Sequence, residues 1–216
     1  MTIYKGKHRG NLTLKGGDDA SELAEVTGSV YVQQGATLTA PALVKTGYVD
    51  VQQGATLTAP ALAEVTGYVY VQQGATLTAP ALVKTGSVYV QQGATLTAPA
   101  LVSIAGRPIA DAETAARRLR AVAEAATASH DALNMSKWHC GTSHCIAGWA
   151  VHLEGEAGYA LEAEMAKIVG SDRKTLAAGN ILLGLEASRL FFLPNDAAKS
   201  ALYRVLDGKP ALADVE

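Results

Sequence analysis

One stretch constrains the fold more than any other: GSVYVQQGATLTAPALVKT, at residues 28–46, returns three more times almost unchanged, with copies opening at Gly47, Gly67 and Gly86. Its core, VQQGATLTAPAL, begins at Val32, Val51, Val71 and Val90, a period of nineteen or twenty residues. A unit of that size cannot bury its own apolar face and must stack on its neighbours, which is the signature of a solenoid. Within each copy Val30 and Val32 alternate with Ser29 and Tyr31, the period-two pattern of a half-buried strand. After a Gln-Gln-Gly bend, Leu38 lies between Thr37 and Thr39, a second short strand with leucine inside and both threonines outside. Pro41 then restricts the backbone before Leu43 returns to the core. No part of the repeat has room for an α-helix.

Parallel stacking at about 4.8 Å per coil places like residues on like residues. The valine pairs with Leu38, Leu57, Leu77 and Leu96 are the expected core, and the second glutamines, Gln34, Gln53, Gln73 and Gln92, are expected to form amide ladders. One outer face carries the array Thr37, Thr39, Thr56, Thr58, Thr76, Thr78, Thr95 and Thr97. Another carries Tyr31, Tyr48, Tyr68, Tyr70 and Tyr89, with Asp50 as the one charge among them. Residues 10–27 read as a degenerate first coil, with Leu12 and Leu14 where the valine pairs later sit. An atypical terminal coil is what a stack needs, because its outer edge faces water.

At Arg107 the pattern changes from strand-like to helical. Asp111 is placed to cap a helix over 112–128, and Thr142 or Ser143 to cap one over 144–155. Further helices are expected over 158–169, 172–183 and Asn195–Leu206, with an additional turn at Glu186–Phe192. The expected architecture is therefore α+β by segregated domains. An N-terminal cap and degenerate coil at 1–27 and a four-coil parallel β-solenoid at 28–106 precede a small all-α domain at 107–216.

The formal net charge is -2 and charged residues make up 18% of the chain, so no strong field favours nucleic acid or an anionic membrane. No stretch approaches the roughly 18 apolar residues of a spanning helix, and the basic N-terminus lacks the apolar core of a signal peptide. The expectation is a cytoplasmic protein. Two cysteines, Cys140 and Cys145, suit a reducing compartment.

The densest cluster of reactive side chains is WHCGTSHCIAGW, holding His139, Cys140, His144 and Cys145. Thiolate and imidazole are zinc-type ligands, although the spacing matches no standard knuckle. His152, seven residues after Cys145, lies about 10 Å further along a helix at ~1.5 Å per residue. Alternatively Cys145 is a nucleophile activated by a helix N-terminus, or the cysteines form a local disulfide, or both are small buried hydrophobes. All four readings are open on the sequence. No paired carboxylates, phosphate-binding glycine loop or serine elbow accompanies the cluster.

Two resemblances follow from these motifs. CGTSHCIAGWAVHLEGEAG, with the later ILLGLEASRLFF and PNDAAKSALYRVL, resembles an uncharacterised helical domain of bacteria and tailed bacteriophages marked by C-G-T-x-x-C-I-A-G-W, over residues 111–207. Some relatives in that family join the domain to short β-repeats, and the resemblance implies no activity. The repeat itself, L-x-x-x-G-x-V-x-V-x-x-G-x-x-L, resembles a shortened leucine-rich repeat and more closely a receptor L-type coil, over residues 10–106. Valine in place of the strand leucines, Gly35 at the asparagine-ladder position and the missing helical return favour a straight solenoid over a horseshoe.

The function expected from this reading is a non-catalytic interaction or scaffold protein. It would bind a protein partner or self-associate as a homo-oligomer through the tyrosine face, with no cofactor, as a phage-encoded accessory protein would. Two alternatives stand beside it: a zinc-binding or cysteine-dependent module in the helical domain, and ice or another regular surface bound by the Thr-x-Thr array.

Overall fold

The computed structural model describes residues 1–137, 139–140 and 143–212, the side chains of His139 and Cys140 excepted. The chain divides into two compact units, Met1–Pro108 and Ile109–Glu216. The first is a parallel β-solenoid of about five coils, and the second is helical.

In the solenoid, β1 (Ile3–His8), β2 (Leu12–Leu14), β3 (Asp19–Val32), β5 (Lys45–Val51), β7 (Glu64–Val71), β9 (Lys84–Val90), β11 (Ser103–Ile104) and β12 (Arg107–Pro108) form one sheet. The short strands β4 (Thr37–Thr39), β6 (Thr56–Thr58), β8 (Thr76–Thr78) and β10 (Thr95–Thr97) form the other. Two turns join the sheets in every coil. The amide of Ala36 bonds to the carbonyl of Gln33 at 2.9 Å across Gln-Gln-Gly, with Gly35 at φ 70, the left-handed third residue that a type II turn requires. Leu43 donates to Ala40 at 3.2 Å across a second turn, in which Pro41 holds the second position. Between the sheets lie the valine pairs, Leu43, Leu57, Leu62, Leu77 and Leu82, all buried. At about 1.5–3 kcal/mol for each such side chain, these columns are the main stabilising term. The leucine-in, threonine-out assignment holds throughout, although Leu96 in the last repeat is only half-buried.

The N-terminal coil goes further than the sequence suggested. Leu12 and Leu14 pair with Val30 and Val32 as expected, and residues 3–8 add a parallel strand against 19–26. This outer strand carries Lys5 and Lys7, which pair with Glu22 at 2.7 Å and Glu25 at 2.8 Å, and its register is twice interrupted by bulges. Charge and irregularity are what keep an edge strand from recruiting another chain.

The alternation of nineteen and twenty residues has a structural cause. The part of β3 from Glu25 to Val32 and strand β7 each hold one residue more than β5 and β9, so the register shifts between Val26 and Ser29 and again between Val65 and Tyr68. In the unbulged strands Thr46 and Thr85 fill the buried position that Val26 and Val65 fill in their neighbours. The Thr46 hydroxyl reaches the carbonyl of Gly28 at 3.1 Å, and the Thr85 hydroxyl reaches Gly67 at 3.1 Å, so each bulge keeps its carbonyl bonded. Glycine is required beside the bulge by close approach: a Cβ on Gly47 would stand 2.7 Å from the Gly28 carbonyl oxygen.

The helical unit comprises α1 (Ala112–Thr127), α2 (Ile146–Leu153), α3 (Gly155–Val169), α4 (Lys174–Leu183), a 3-10 helix (Glu186–Phe192) and α5 (Asn195–Leu206). Asp111 caps α1 as expected, accepting from the Thr114 amide at 2.8 Å. Every residue of α4 from Thr175 to Leu183 is buried, and Gly179 lets α4 approach Ala147 of α2, where a Cβ would meet the alanine methyl at 2.7 Å. Arg118 ties α1 to the end of α2 through Glu154 at 2.7 and 3.1 Å and to the Leu182 carbonyl at 3.3 Å. Helix α3 begins at Gly155 instead of 158, and Gly158 is an interior position where a Cβ would collide with the Val151 carbonyl oxygen. Among the described residues no helix is long and apolar enough to cross a membrane.

Replacing Leu57 or Leu77 with aspartate puts a charge into a fully buried column and is expected to abolish the cooperative melt of the solenoid by circular dichroism. Thr56→Val, on the outer face, is expected to leave the melt in place.

Candidate functional site

The solenoid presents two candidate surfaces. Strand register brings all eight threonines into two ranks, Thr37, Thr56, Thr76 and Thr95 in one and Thr39, Thr58, Thr78 and Thr97 in the other, separated by the buried leucine column. The second glutamines do not build the expected side-chain ladder. They are exposed, and their carbonyls carry the coil-to-coil bonds, as in Gly35 to Gln53 at 3.1 Å and Gly54 to Gln73 at 3.1 Å. It is the first glutamines whose side chains bridge coils: Gln52 accepts from the Gln34 amide at 3.1 Å, Gln91 accepts from the Gln73 amide at 3.0 Å, and Gln72 donates to Asp50 at 2.7 Å. The first glutamine leaves the strand on the tyrosine side, so it can reach along the stack.

The five tyrosines occupy two adjacent columns. Ser29, Tyr48, Tyr68 and Ser87 follow one another in the first, and Tyr31, Asp50, Tyr70 and Tyr89 in the second. Four of the rings interlock: Tyr48 and Tyr68 lie 4.5 Å apart, Tyr68 and Tyr89 5.9 Å, and Tyr70 and Tyr89 6.0 Å, the last two edge to face. The Tyr48 ring lies across Gly67, and Gln91 donates its amide to the Tyr70 hydroxyl. Tyr48 keeps 40% of its surface exposed, Tyr31, Tyr68 and Tyr70 are half-buried, and Tyr89 is buried. Burial pushes the Asp50 carboxyl above its ordinary range, against the opposing pull of the Gln72 amide.

A third surface was missed on the sequence. Lys7, Glu25, Lys45, Glu64 and Lys84 are successive members of one ladder. Glu64 sits between Lys45 at 3.3 Å and Lys84 at 3.2 Å. Stacking like on like would otherwise align like charges, so the alternation of VKT with AEVT favours one register over a slipped one. Its signal, a 39-residue super-period within the 19–20-residue repeat, is visible in the sequence.

In the helical unit, Cys145 is buried at the start of α2. Helix α2 is shorter than expected and is capped by Cys145 itself, not by Ser143, whose residues 143–144 pair instead with 139–140. Thr142 and the side chains of His139 and Cys140 lie outside the described residues. The Cys145 sulfur accepts from the Gly148 amide at 3.2 Å and is buried. Burial pushes its pKa up from 9.0 to about 11, outweighing the lowering effect of the Gly148 and Ala147 amides. His144 is also buried, and its ring stacks on His152 at 4.6 Å and meets Trp149 edge-on at 4.8 Å. His144 precedes the helix and folds back over it, which is how it reaches a residue that helical rise alone keeps distant. The Nδ1 of His152 and the Tyr159 hydroxyl are 2.8 Å apart, and the Trp149 indole donates to the Ala132 carbonyl at 2.9 Å. Among the described residues no three His, Cys, Asp or Glu side chains are grouped to hold a metal ion.

No family model, curated protein or solved structure matches the chain.

Because the folded-state pKa of Cys145 lies above its ordinary value, its contribution to stability is complete below pH 9.0 and is lost as the pH rises toward about 11. Alkylation of Cys145 by iodoacetamide, followed by peptide mass, is expected to stay slow at neutral pH in the folded chain. The alkaline loss of stability is expected to be smaller in Cys145→Ser than in the native chain by up to about 2–3 kcal/mol.

Proposed function

We propose that this chain is a non-catalytic interaction protein whose solenoid presents the binding surface. The observation that carries the reading is the interlocked tyrosine band. Ring-to-ring contacts among Tyr48, Tyr68, Tyr70 and Tyr89 and the glycine under Tyr48 hold these side chains in place while Tyr48 stays exposed and Tyr68 and Tyr70 remain partly so. Aromatic side chains already fixed before binding lose little freedom when a partner covers them, and they dominate the energetics of protein contacts. The partner is a protein, bound and occluded without turnover. The resemblance of the helical motif to bacterial and phage domains supports a cytoplasmic accessory role against a host protein. The elevated Cys145 pKa weighs against thiolate chemistry as the main activity.

A second reading is favoured by one specific observation, the register of the eight threonines, which sets hydroxyl and methyl groups on a repeating grid at about 4.8 Å between coils. A surface of that kind suits ice or another regular lattice. Thermal hysteresis in the native chain, lost in Thr56→Lys with Thr76→Lys, would select it over the tyrosine surface.

For the tyrosine surface, Tyr48→Ser with Tyr68→Ser is expected to weaken capture of a host protein by about tenfold or more while leaving the circular-dichroism melt in place. Undiminished capture of the same protein by a folded double variant would remove the tyrosine band from the function.

A further inference from the structure

The residue ahead of each charged position carries a second alternation, locked in step with the charged ladder. Ala24, Val44, Ala63 and Val83 follow one another along the stack, joined by amide-to-carbonyl bonds from Val44 to Ala24 at 2.9 Å, Ala63 to Val44 at 2.9 Å and Val83 to Ala63 at 3.1 Å, and Val102, ahead of the uncharged Ser103, ends the alternation by following Val83 at 3.4 Å. Val44 and Val83 each precede a lysine, and Ala24 and Ala63 each precede a glutamate. The lysine–glutamate alternation is accounted for within the chain, because it sets the register. The valine–alanine alternation is not. Val44 is 49%, Val83 43% and Val102 63% exposed, so none of the three is a core residue. Pro41, Pro60 and Pro80, exposed on the preceding turns, extend this apolar edge.

We infer that this edge is the contact between two copies of the chain, related by a two-fold axis lying in the interface along the strand direction and passing midway between the coils of Lys45 and Glu64. Such an axis reverses the direction of stacking while keeping each column opposite itself. Lys45 then faces Glu64 of the partner copy, and Glu25 faces Lys84 of the partner copy, so all four rows are matched in charge. In the same rows Val44 faces Ala63 and Val83 faces Ala24 of the partner copy, a large side chain against a small one each time. One symmetry operation satisfies charge and size together, which is the self-complementarity an isologous contact needs. A copy shifted by one coil would bring lysine to lysine and valine to valine. The inference goes beyond the tyrosine surface and does not rest on it, since the valines and prolines lie ahead of the long strands and the tyrosines in the second half of them.

Sedimentation velocity of the full chain across the micromolar range is expected to show a reversible monomer–dimer equilibrium. Val44→Glu with Val83→Glu, at exposed positions, is expected to weaken the dimer by at least about tenfold with an unchanged melt. The antiparallel register is tested by disulfide trapping. Chains carrying Glu25→Cys mixed with chains carrying Lys84→Cys are expected to cross-link between those positions, identified by peptide mass. Lys84→Cys alone is expected not to link to itself, because the two sites lie about 14 Å apart along the stack, three coils at ~4.8 Å. A chain that sediments as a monomer throughout, a dimer indifferent to the valine changes, or Lys84→Cys self-linkage would each overturn the inference.

Discussion

In-register parallel pairing governs everything in the solenoid. When Leu57 lies directly on Leu38 and beneath Leu77, each column of the sequence repeat becomes a column in space. An apolar column is then dry along its whole length, and an uncharged polar column is harmless. A column of one charge would be repulsive at every step. The near absence of charge from the repeats is therefore a condition of stacking, and the one charged column within them is admissible because lysine and glutamate alternate.

The same constraint explains the irregularities. An extra residue in every second coil would break the ladder unless its carbonyl found another donor, and Thr46 and Thr85 supply that donor from the neighbouring strand. Asp50 replaces a tyrosine in its column and is held by Gln72, so the substitution is compensated by a side chain in the next coil. The helical unit follows a different logic, in which single polar side chains fix pairs of helices. Arg118 joins α1 to Glu154, and the buried carboxylate of Glu162 on α3 accepts from the Thr175 hydroxyl and lies 3.3 Å from Lys174 of α4.

The repeat made the solenoid legible because identical copies report the same environment four times over. Alternation alone puts Val30 and Leu38 inside and Thr39 outside, and Asp111 reads as a cap from its place before an alanine-rich run. Strand β1 was not legible, since IYKGKH has no copy elsewhere and its charged side chains hide a strand whose pairing is set by β3. The glutamine assignment failed for a physical reason: alternation says which residues leave the core, but not which of two consecutive turn residues points along the stack. At Cys145 the helix start was placed too early because serine and threonine are the commoner caps, whereas here a thiol accepts the Gly148 amide. The tyrosine and threonine columns followed from the repeat. The charged ladder and its valine–alanine companion required reading the repeats in pairs.

Amide hydrogen exchange across the solenoid tests in-register stacking most directly. Interior coils that share continuous columns should open together, so the amides of Val49, Leu57, Val69 and Leu77 are expected to exchange at one slow rate set by cooperative unfolding. Faster exchange should be confined to the Gln-Gln-Gly turns and the terminal coils. Separate rates for each coil, or unprotected amides at Leu57 and Leu77, would contradict stacking as the source of the fold.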